Sequence, residues 1–353
     1  MDATREVANM TGQLVEEDFT RLTDPYRREL MAHCYRMLGS VHDAEDLVQE
    51  TYLRAWRAYD DFEGRSSMRT WLYRIATNSC LNALESRQRR PLPTGLGGPS
   101  DAPEGDLAQR NEVTWLEPVP DAMFAGDASD PATVVAERES VRLAFIAALQ
   151  HLPPRQRAVL ILRDVLKWKA AEVADLVGIS TAAVNSALQR ARAQLDEVTP
   201  SQEEVVEPTE AEKREMLDRW VKAFEAYDVD QIVTLFTEDV VWEMPPFAAW
   251  FKGPKNVGRL IRFACPAKGP GDQVMVPVEA NGQPGFALYM RDPLTKVHRA
   301  FQIQVLTLTA AGVAHAVVFF DLSLFDAFGL PQLLSDLADS QPPQPATVDE
   351  RRR

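Results

Sequence analysis

The feature that most constrains this chain is a change of periodicity across two proline-containing acidic joints. Residues 91–131 include PLPTGLGGPSDAPEGD and DAMFAGDASDP, and residues 197–210 read EVTPSQEEVVEPTE. Prolines and glycines at this density interrupt helices, and acid-rich stretches without apolar periodicity bury too little surface to fold alone. The joints therefore cut the 353 residues into separately folding lengths. In the lengths around 17–90 and 134–196, apolar residues recur at helical spacing. From about residue 209 a helix, AEKREMLDRWVKAFEAY, and a short helical DVDQIVTLFT give way to DVVWEM, GFALYMRD, HRAFQIQVLTLT and VAHAVVFFD, which read as strands. The expectation is a multidomain chain, with two all-α pieces followed by an α+β domain built on an antiparallel sheet.

Composition narrows the class further. Apolar residues at 45% and charged residues at 25% are those of a globular protein. No apolar run approaches the about 20 residues of a membrane span, and MDATREVANM lacks a signal-peptide core. Cys34, Cys80 and Cys265 are far apart and form no CxxC pair. Neither a disulfide framework nor a metal site is expected, no cofactor is implied, and the cytoplasm is the expected compartment. A net charge of −14 argues against nonspecific coating of nucleic acid. Local charge decides, however: between residues 65 and 90 stand Arg65, Arg69, Arg74, Arg87, Arg89 and Arg90 against the one acid Glu85.

The clearest short motif is KAAEVADLVGISTAAVNSALQRARAQL, residues 169–195. Ala170, Val173, Ala174 and Val177 make one helical stripe, Gly178 permits a turn, and Ser180 can cap a second helix with the stripe Val184, Leu188, Ala191 and Leu195. That is the helix-turn-helix plan, in which the second helix enters the major groove. At about 100° per residue, Ala182, Ser186, Gln189 and Ala193 point away from the core stripe, flanked by Asn185 and Arg190. Gln reads adenine edges and Arg guanine edges, while Arg192 and the hydroxyls of Ser180 and Thr181 suit phosphates. A plain helical hairpin with a polar outer face is the competing reading.

Two further helices carry distinct chemistry. Along 65–90, Trp71, Arg74, Asn78 and Asn82 accompany the basic end Arg87, Arg89 and Arg90. Arginines neutralise phosphates, amides bond bases and aromatics stack on unpaired bases, a combination suited to single-stranded DNA. Trp71, Leu72 and Ile75 are also the expected core contacts of that helix. In HDAEDLVQETYLRAW, residues 42–56, the stripe Ala44, Leu47, Val48, Thr51 and Ala55 should pack inward. Asp43, Asp46, Gln49, Glu50 and Arg57 then crowd the outer side, as a solvated face or as a surface for a basic protein partner.

These segments together resemble a known family. DPYRRELMAHCYRMLGSVHDAEDLVQETYLRAWRAYDDFEGRSSMRTWLYRIATNSCLNALESRQRR looks like region 2, and LAFIAALQHLPPRQRAVLILRDVLKWKAAEVADLVGISTAAVNSALQRARAQL like region 4, of bacterial sigma factors of the extracytoplasmic-function group. The resemblance implies that residues 12–90 form region 2, 91–133 a linker toward the RNA exit path, and 134–197 region 4. It implies core RNA polymerase (β′ clamp helices and β flap) and promoter DNA as partners. Asp43, Asp46, Gln49, Glu50 and Arg57 would meet the clamp. Arg65, Arg69, Trp71, Arg74, Asn78, Asn82, Arg87, Arg89 and Arg90 would capture and melt the −10 element. Ser180, Thr181, Ala182, Asn185, Ser186, Gln189, Arg190 and Arg192 would read the −35 element.

Beyond residue 197, WVKAFEAYDVDQIVTLFTEDVVWEMPP, GPKNVGRLI and VAHAVVFFDLSLFDAFGLP resemble the SnoaL-like branch of the NTF2-like fold, a cone of sheet and helices around a pocket. The resemblance covers 209–334, with 335–353 as an expected disordered tail, and implies regulation of the sigma domains in cis. Two-residue alternation places Trp242 and Met244 on one strand face and His315 and Asp321 on another, which makes the four a candidate pocket for a small ligand. WLEPVPDAMF (115–124) and FGLPQLL (328–334) are the apolar segments expected to dock on the sigma domains. Two alternatives remain: a one-component helix-turn-helix regulator with a ligand pocket, and an isomerase- or cyclase-like enzyme fused to a DNA-binding segment. Neither needs the helix 43–57 and the basic segment 65–90 as well.

Overall fold

A computed structural model of the chain describes residues 18–85, 89–124, 138–198 and 208–337. Contacts divide it into two compact units: residues up to 98, 109–205 and 279–283 form the first, and residues 99–108, 206–278 and 284 onward form the second. These units cut across the segment boundaries read from composition, because side chains far apart in sequence pair.

In the first unit, α1 (Arg27–Leu38), α2 (Val41–Arg57) and α3 (Met68–Glu85) pack on one another. All residues from Leu30 to Leu38 are buried, as expected of a helix surrounded on every side. Its buried polar side chains find partners across the unit: His33 Nε2 lies 2.9 Å from Thr77 Oγ1, though its Nδ1 has none among the described residues, and Arg36 donates to Ser140 Oγ at 2.7 Å and Ser140 O at 3.2 Å. Gly39 ends α1 at φ 68°, a left-handed conformation that costs glycine little. Ser40 then caps α2 by accepting from Asp43 N at 3.1 Å. The second half of the unit holds α4 (Leu143–Leu149), α5 (Pro154–Leu160), α6 (Ala170–Val177) and α7 (Thr181–Val198), with a π-turn at Ile161–Val165 after α5.

The joint, expected to pack no core of its own, contributes apolar residues to that of the first unit. Leu92, Leu116 and Val119 are buried. Glu117 explains the capture of WLEPVPDAMF. Its Oε2 accepts from Ser40 Oγ at 2.7 Å and lies 3.0 Å from His42 Nδ1, while its backbone oxygen accepts from Tyr35 OH at 2.8 Å. The turn at Asn281 completes this core. Asn281 N donates to Val119 O at 3.0 Å and its Oδ1 accepts from Val119 N at 3.0 Å. Its Nδ2 donates to Tyr35 Oη and to Val141 O, both at 2.7 Å.

In the second unit, α8 (Glu210–Glu225), opened by a Thr209–Glu212 capping box, precedes α9 (Val229–Thr234). Six strands follow: β1 (Phe236–Glu243), β2 (Trp250–Lys252), β3 (Gln273–Ala280), β4 (Gln283–Arg291), β5 (His298–Thr309) and β6 (Gly312–Phe319). α10 (Pro254–Ala264) lies between β2 and β3, and α11 (Ser323–Ala327) follows β6. The sheet order is β2-β1-β6-β5-β4-β3. Contrary to the fully antiparallel expectation, β1 and β6 run parallel, while β1–β2, β4–β5 and β5–β6 are antiparallel. Because β1 and β6 are separated by the whole sheet-forming sequence, local patterns carry no sign of their direction.

Trp220, Phe224, Ile232, Val257 and Leu260 from the helices meet Trp242, Met244, Phe286, Leu288, Ala316 and Val318 on one sheet face. FGLPQLL, expected to dock on the sigma domains, makes bonds within its own unit. Pro331 O accepts from Tyr289 OH at 2.9 Å and Gln332 O from Ala300 N at 2.9 Å, the backbone bonds that an edge-proximal extended segment can supply. Of the expected tail 335–353, only 335–337 are described, in a 3₁₀ turn at Leu334–Leu337. Among the described residues, no helix is long and apolar enough to cross a membrane.

Candidate nucleic-acid interface

The helix-turn-helix is built as its spacing requires. Val173, Ala174 and Leu176 of α6 and Val184, Ala187, Leu188 and Ala191 of α7 are buried. Gly178 turns at φ 72°, and Ser180 Oγ accepts from Ala183 N at 3.2 Å. Thr181, Ala182, Asn185, Ser186, Gln189, Arg190 and Ala193 are exposed on the opposite side. Arg192 is exposed as well, but its guanidinium donates to Asp164 at 2.6 and 2.8 Å, and that carboxylate raises its pKa.

On α3, Trp71, Arg74, Asn78 and Asn82 recur at steps of three, four and four, so they share one face. Asn78 and Asn82 are exposed, and Trp71 stacks on Phe62 with ring centroids 4.7 Å apart. The arginines of this region are more engaged than a basic run suggests. Arg65 pairs with Glu63 and Arg74 with Asp175 of α6. Arg69 Nε donates to Glu29 Oε2 at 2.8 Å, and its guanidinium lies 5.1 Å from the Tyr73 ring and 5.8 Å from that of Trp168. Arg89 bonds Gly95 O at 2.7 Å and sits 2.9 Å from His151 Nδ1. Arg87 lies outside the described residues.

Two residues need correction. The Arg90 side chain is only 11% exposed, donating to Asp43 Oδ2 at 2.6 Å and to Trp115 O at 2.7 Å. Arg90 therefore holds the 109–124 segment on α2 instead of facing DNA, and Asp43, at 18% exposure, is not free for a protein partner. The rest of the α2 face stands clear. Asp46, Gln49 and Arg57 are exposed, and Glu50 pairs with Arg54 at 2.5 Å. The structure adds two residues that the sequence reading missed: Leu53 at 56% exposure and Trp56 at 37%. Leu53 is seven residues after Asp46, on the same stripe, and an apolar side chain among exposed acids was the available signal.

Arg157 was also missed. It is buried, and its guanidinium donates to Met37 O, to Gln150 Oε1 at 2.7 Å, to Gln150 O at 3.2 Å and to Leu152 O at 3.1 Å. It joins the C-terminal end of α1 to those of α4 and the following turn, where helix carbonyls present partial negative charge. Burial pulls its pKa down to about 10. Together with Arg74–Asp175 and the Tyr73–Trp168 ring contact at 5.2 Å, it packs the two helical halves against each other.

The candidate pocket of the second unit does not assemble. Trp242 pairs in register with Ala316, and Val241 with His315. Trp242 and Met244 therefore lie in the helix-covered core, while His315 points to the other face, its Nε2 2.7 Å from the buried Glu243. Asp321 is exposed and its Oδ1 accepts from Ser323 N and Ser323 Oγ. Parity was right for Trp242 and Met244, but β6 ends at Phe319, before Asp321, and the register between strands puts His315 on the face opposite Trp242.

Three stretches match family models: residues 22–90 match Sigma-70 region 2, residues 142–195 match Sigma-70, region 4, and residues 217–312 match the SnoaL-like domain. Over 318 residues the chain is 59% identical to the ECF RNA polymerase sigma factor SigG of Mycobacterium tuberculosis, covering 90% of this chain and 85% of that protein. It is 32% identical over 253 residues to SigJ of the same species, covering 69% of this chain and 72% of SigJ. The crystal structure of the extracytoplasmic function sigma factor SigJ from M. tuberculosis aligns with a TM-score of 0.58 at 25% identity, over 89% of this chain and 99% of that one.

Proposed function

Because this chain belongs to the ECF family of RNA polymerase sigma factors, we propose that α2 docks on the β′ clamp helices of core polymerase, α3 engages the −10 element as single strand, and α7 reads the −35 element as duplex. One observation carries the polymerase assignment: the α2 stripe Asp46, Gln49, Glu50 and Leu53 combines acids with an apolar side chain 56% exposed. Exposed apolar groups rimmed by charge mark protein interfaces. Charge reversal by Asp46→Arg with Glu50→Arg, or introduction of charge by Leu53→Asp, should lower core-polymerase binding at least tenfold in a fluorescence titration while the circular dichroism spectrum stays unchanged. Retained affinity in both variants rejects the α2 assignment.

For the −35 element, the exposed Gln189 and Arg190 are the base-reading side chains and Arg192 a phosphate contact. Gln189→Ala and Arg190→Ala should each remove about 1–3 kcal/mol of discrimination between matched and mismatched −35 sequences in a competition binding assay. Equal losses on all sequences instead would identify phosphate contacts.

The chain itself performs no covalent step in this reading; the polymerase does the chemistry, in the cytoplasm. The −10 and −35 elements, by their names, lie about 25 base pairs apart, or about 85 Å at about 3.4 Å per step. A compact body of about 200 residues has a radius of gyration near about 16 Å. The two helical halves must therefore part to span a promoter, and the contacts of Arg74, Arg157 and Asn281 oppose that opening. The C-terminal segment contributes one of them through residues 279–283, which supports control in cis.

A further inference from the structure

We propose that the second unit binds a small organic anion, an apolar body bearing a carboxylate, sulfonate or phosphate, in the cleft between the β4–β5 loop and residues 266–272. The cleft has a volume of about 410 Å³, within the about 300–1,000 Å³ of small-molecule sites. Ala267, Met290 and Phe301 supply an apolar lining, and Lys268, Arg291, Lys296 and Arg299 supply four cations. Its two walls are tied together: Arg291 N donates to Asp272 O at 2.7 Å, and His298 Nε2 to Gly271 O at 3.0 Å.

The carboxylates of Asp272 and Asp292 offset the four cations only in part, leaving an excess of two positive charges on the lining. Asp272 Oδ2 is used by the amides of Lys268 and Gly269, at 2.9 and 3.2 Å. Asp292 Oδ1 is used by the amides of Leu294 and Thr295, at 2.9 and 2.8 Å, and those bonds hold its carboxyl below the usual range. Arg299 Nε stands 3.7 Å from Asp292 Oδ2. Lys268, Arg291 and Lys296 form no ion pair among the described residues. In a chain of net charge −14, an excess of two positive charges around one concavity makes a local field that attracts an anion, and the concave shape concentrates it. The apolar lining selects an anion with a body to bury over a bare phosphodiester backbone.

The test uses the full chain and two fluorescent probes that share an aromatic body: 8-anilinonaphthalene-1-sulfonate, and N-phenyl-1-naphthylamine, which lacks the sulfonate. The sulfonate should bind saturably, and at least tenfold more tightly than the neutral amine. Arg291→Gln with Lys296→Gln should weaken sulfonate binding at least tenfold and amine binding less than twofold. Lys268→Gln, on the opposite wall, should weaken sulfonate binding several-fold and keeps the test alive if the double variant misfolds. Affinity unchanged in both variants, or equal affinity for the two probes, overturns the site. So does displacement of the sulfonate by duplex DNA, which would make the cleft a phosphate-backbone surface. No polymerase enters this assay, so its outcome is independent of the transcription reading.

Discussion

Arg157→Met is expected to destabilise the first unit by about 3 kcal/mol, seen as lost hydrogen-exchange protection of α1 and α5 amides with those of β5 and β6 unaffected. Two effects oppose one another. Taking the charge out of the interior recovers its desolvation cost, about 3 kcal/mol for a guanidinium pulled from 12.5 to about 10. Against this, four buried oxygens on Met37, Gln150 and Leu152 lose a charged donor. At the low end of about 1.5 kcal/mol each, the loss is about twice the gain. Methionine fills the volume but donates nothing, so the carbonyl ends of α1 and α4 face each other unpaired. Arg157→Lys, with one ammonium for the whole cluster, should fall between the two. Unchanged protection in the methionine variant would mean that water replaces the guanidinium at no cost.

Arg157 also shows what local sequence could convey. The period of α7 was largely legible, since Val184, Leu188 and Ala191 are buried and Asn185, Ser186 and Gln189 are exposed, whereas in α6 Leu176 is buried in place of the expected Val177. Strands β1, β4, β5 and β6 were visible in their β-branched and aromatic runs. β3, QVMVPVEA, was not, because Pro277 and Glu279 break the pattern of a buried strand. The short β2 and α10 were not read either, and beyond these what escaped were pairings over long sequence separations. Arg90 read as the end of a basic run until Asp43 and Glu117 enclosed it, 47 and 27 residues away. The 91–131 segment read as a linker with no core of its own, and only WLEPVPDAMF within it read as a docking segment. Its apolar residues Leu92, Leu116 and Val119 are buried because α1, α2 and Asn281 offer partners for the backbone beside them. In the second unit, alternation placed Trp242 and Met244 on one face but was carried past the end of β6 to Asp321, and only the parallel register of β1 with β6 reveals that Trp242 and His315 lie on opposite sides.

Asn281→Ala should raise promoter-directed run-off transcription by the full chain at least tenfold, toward that of a truncation ending after Val198. Asn281 is fully buried at φ 58°, a left-handed conformation that Asn tolerates and that costs Ala about 1 kcal/mol. Removing its amide leaves the buried Val119 N–H and Val141 O without their partner, at about 1–3 kcal/mol each. A total of about 3 kcal/mol corresponds to about a hundredfold change in an equilibrium. The equilibrium at stake is opening of the first unit. Tyr35 belongs to α1, Val119 to the segment beside it and Val141 to the approach to α4, so the turn at 281 ties together the halves that a promoter requires apart. Asn281→Asp tests the geometry, since its carboxylate keeps the Val119 N–H bond but cannot donate to Val141 O. The buried carboxylate would also face Val141 O without a proton between them, so it should release the unit at least as far as alanine does. Transcription at or below the wild-type level, in an Asn281→Ala protein whose α1 amides exchange faster, would reverse the assignment: the turn would then order the first unit for polymerase instead of restraining it.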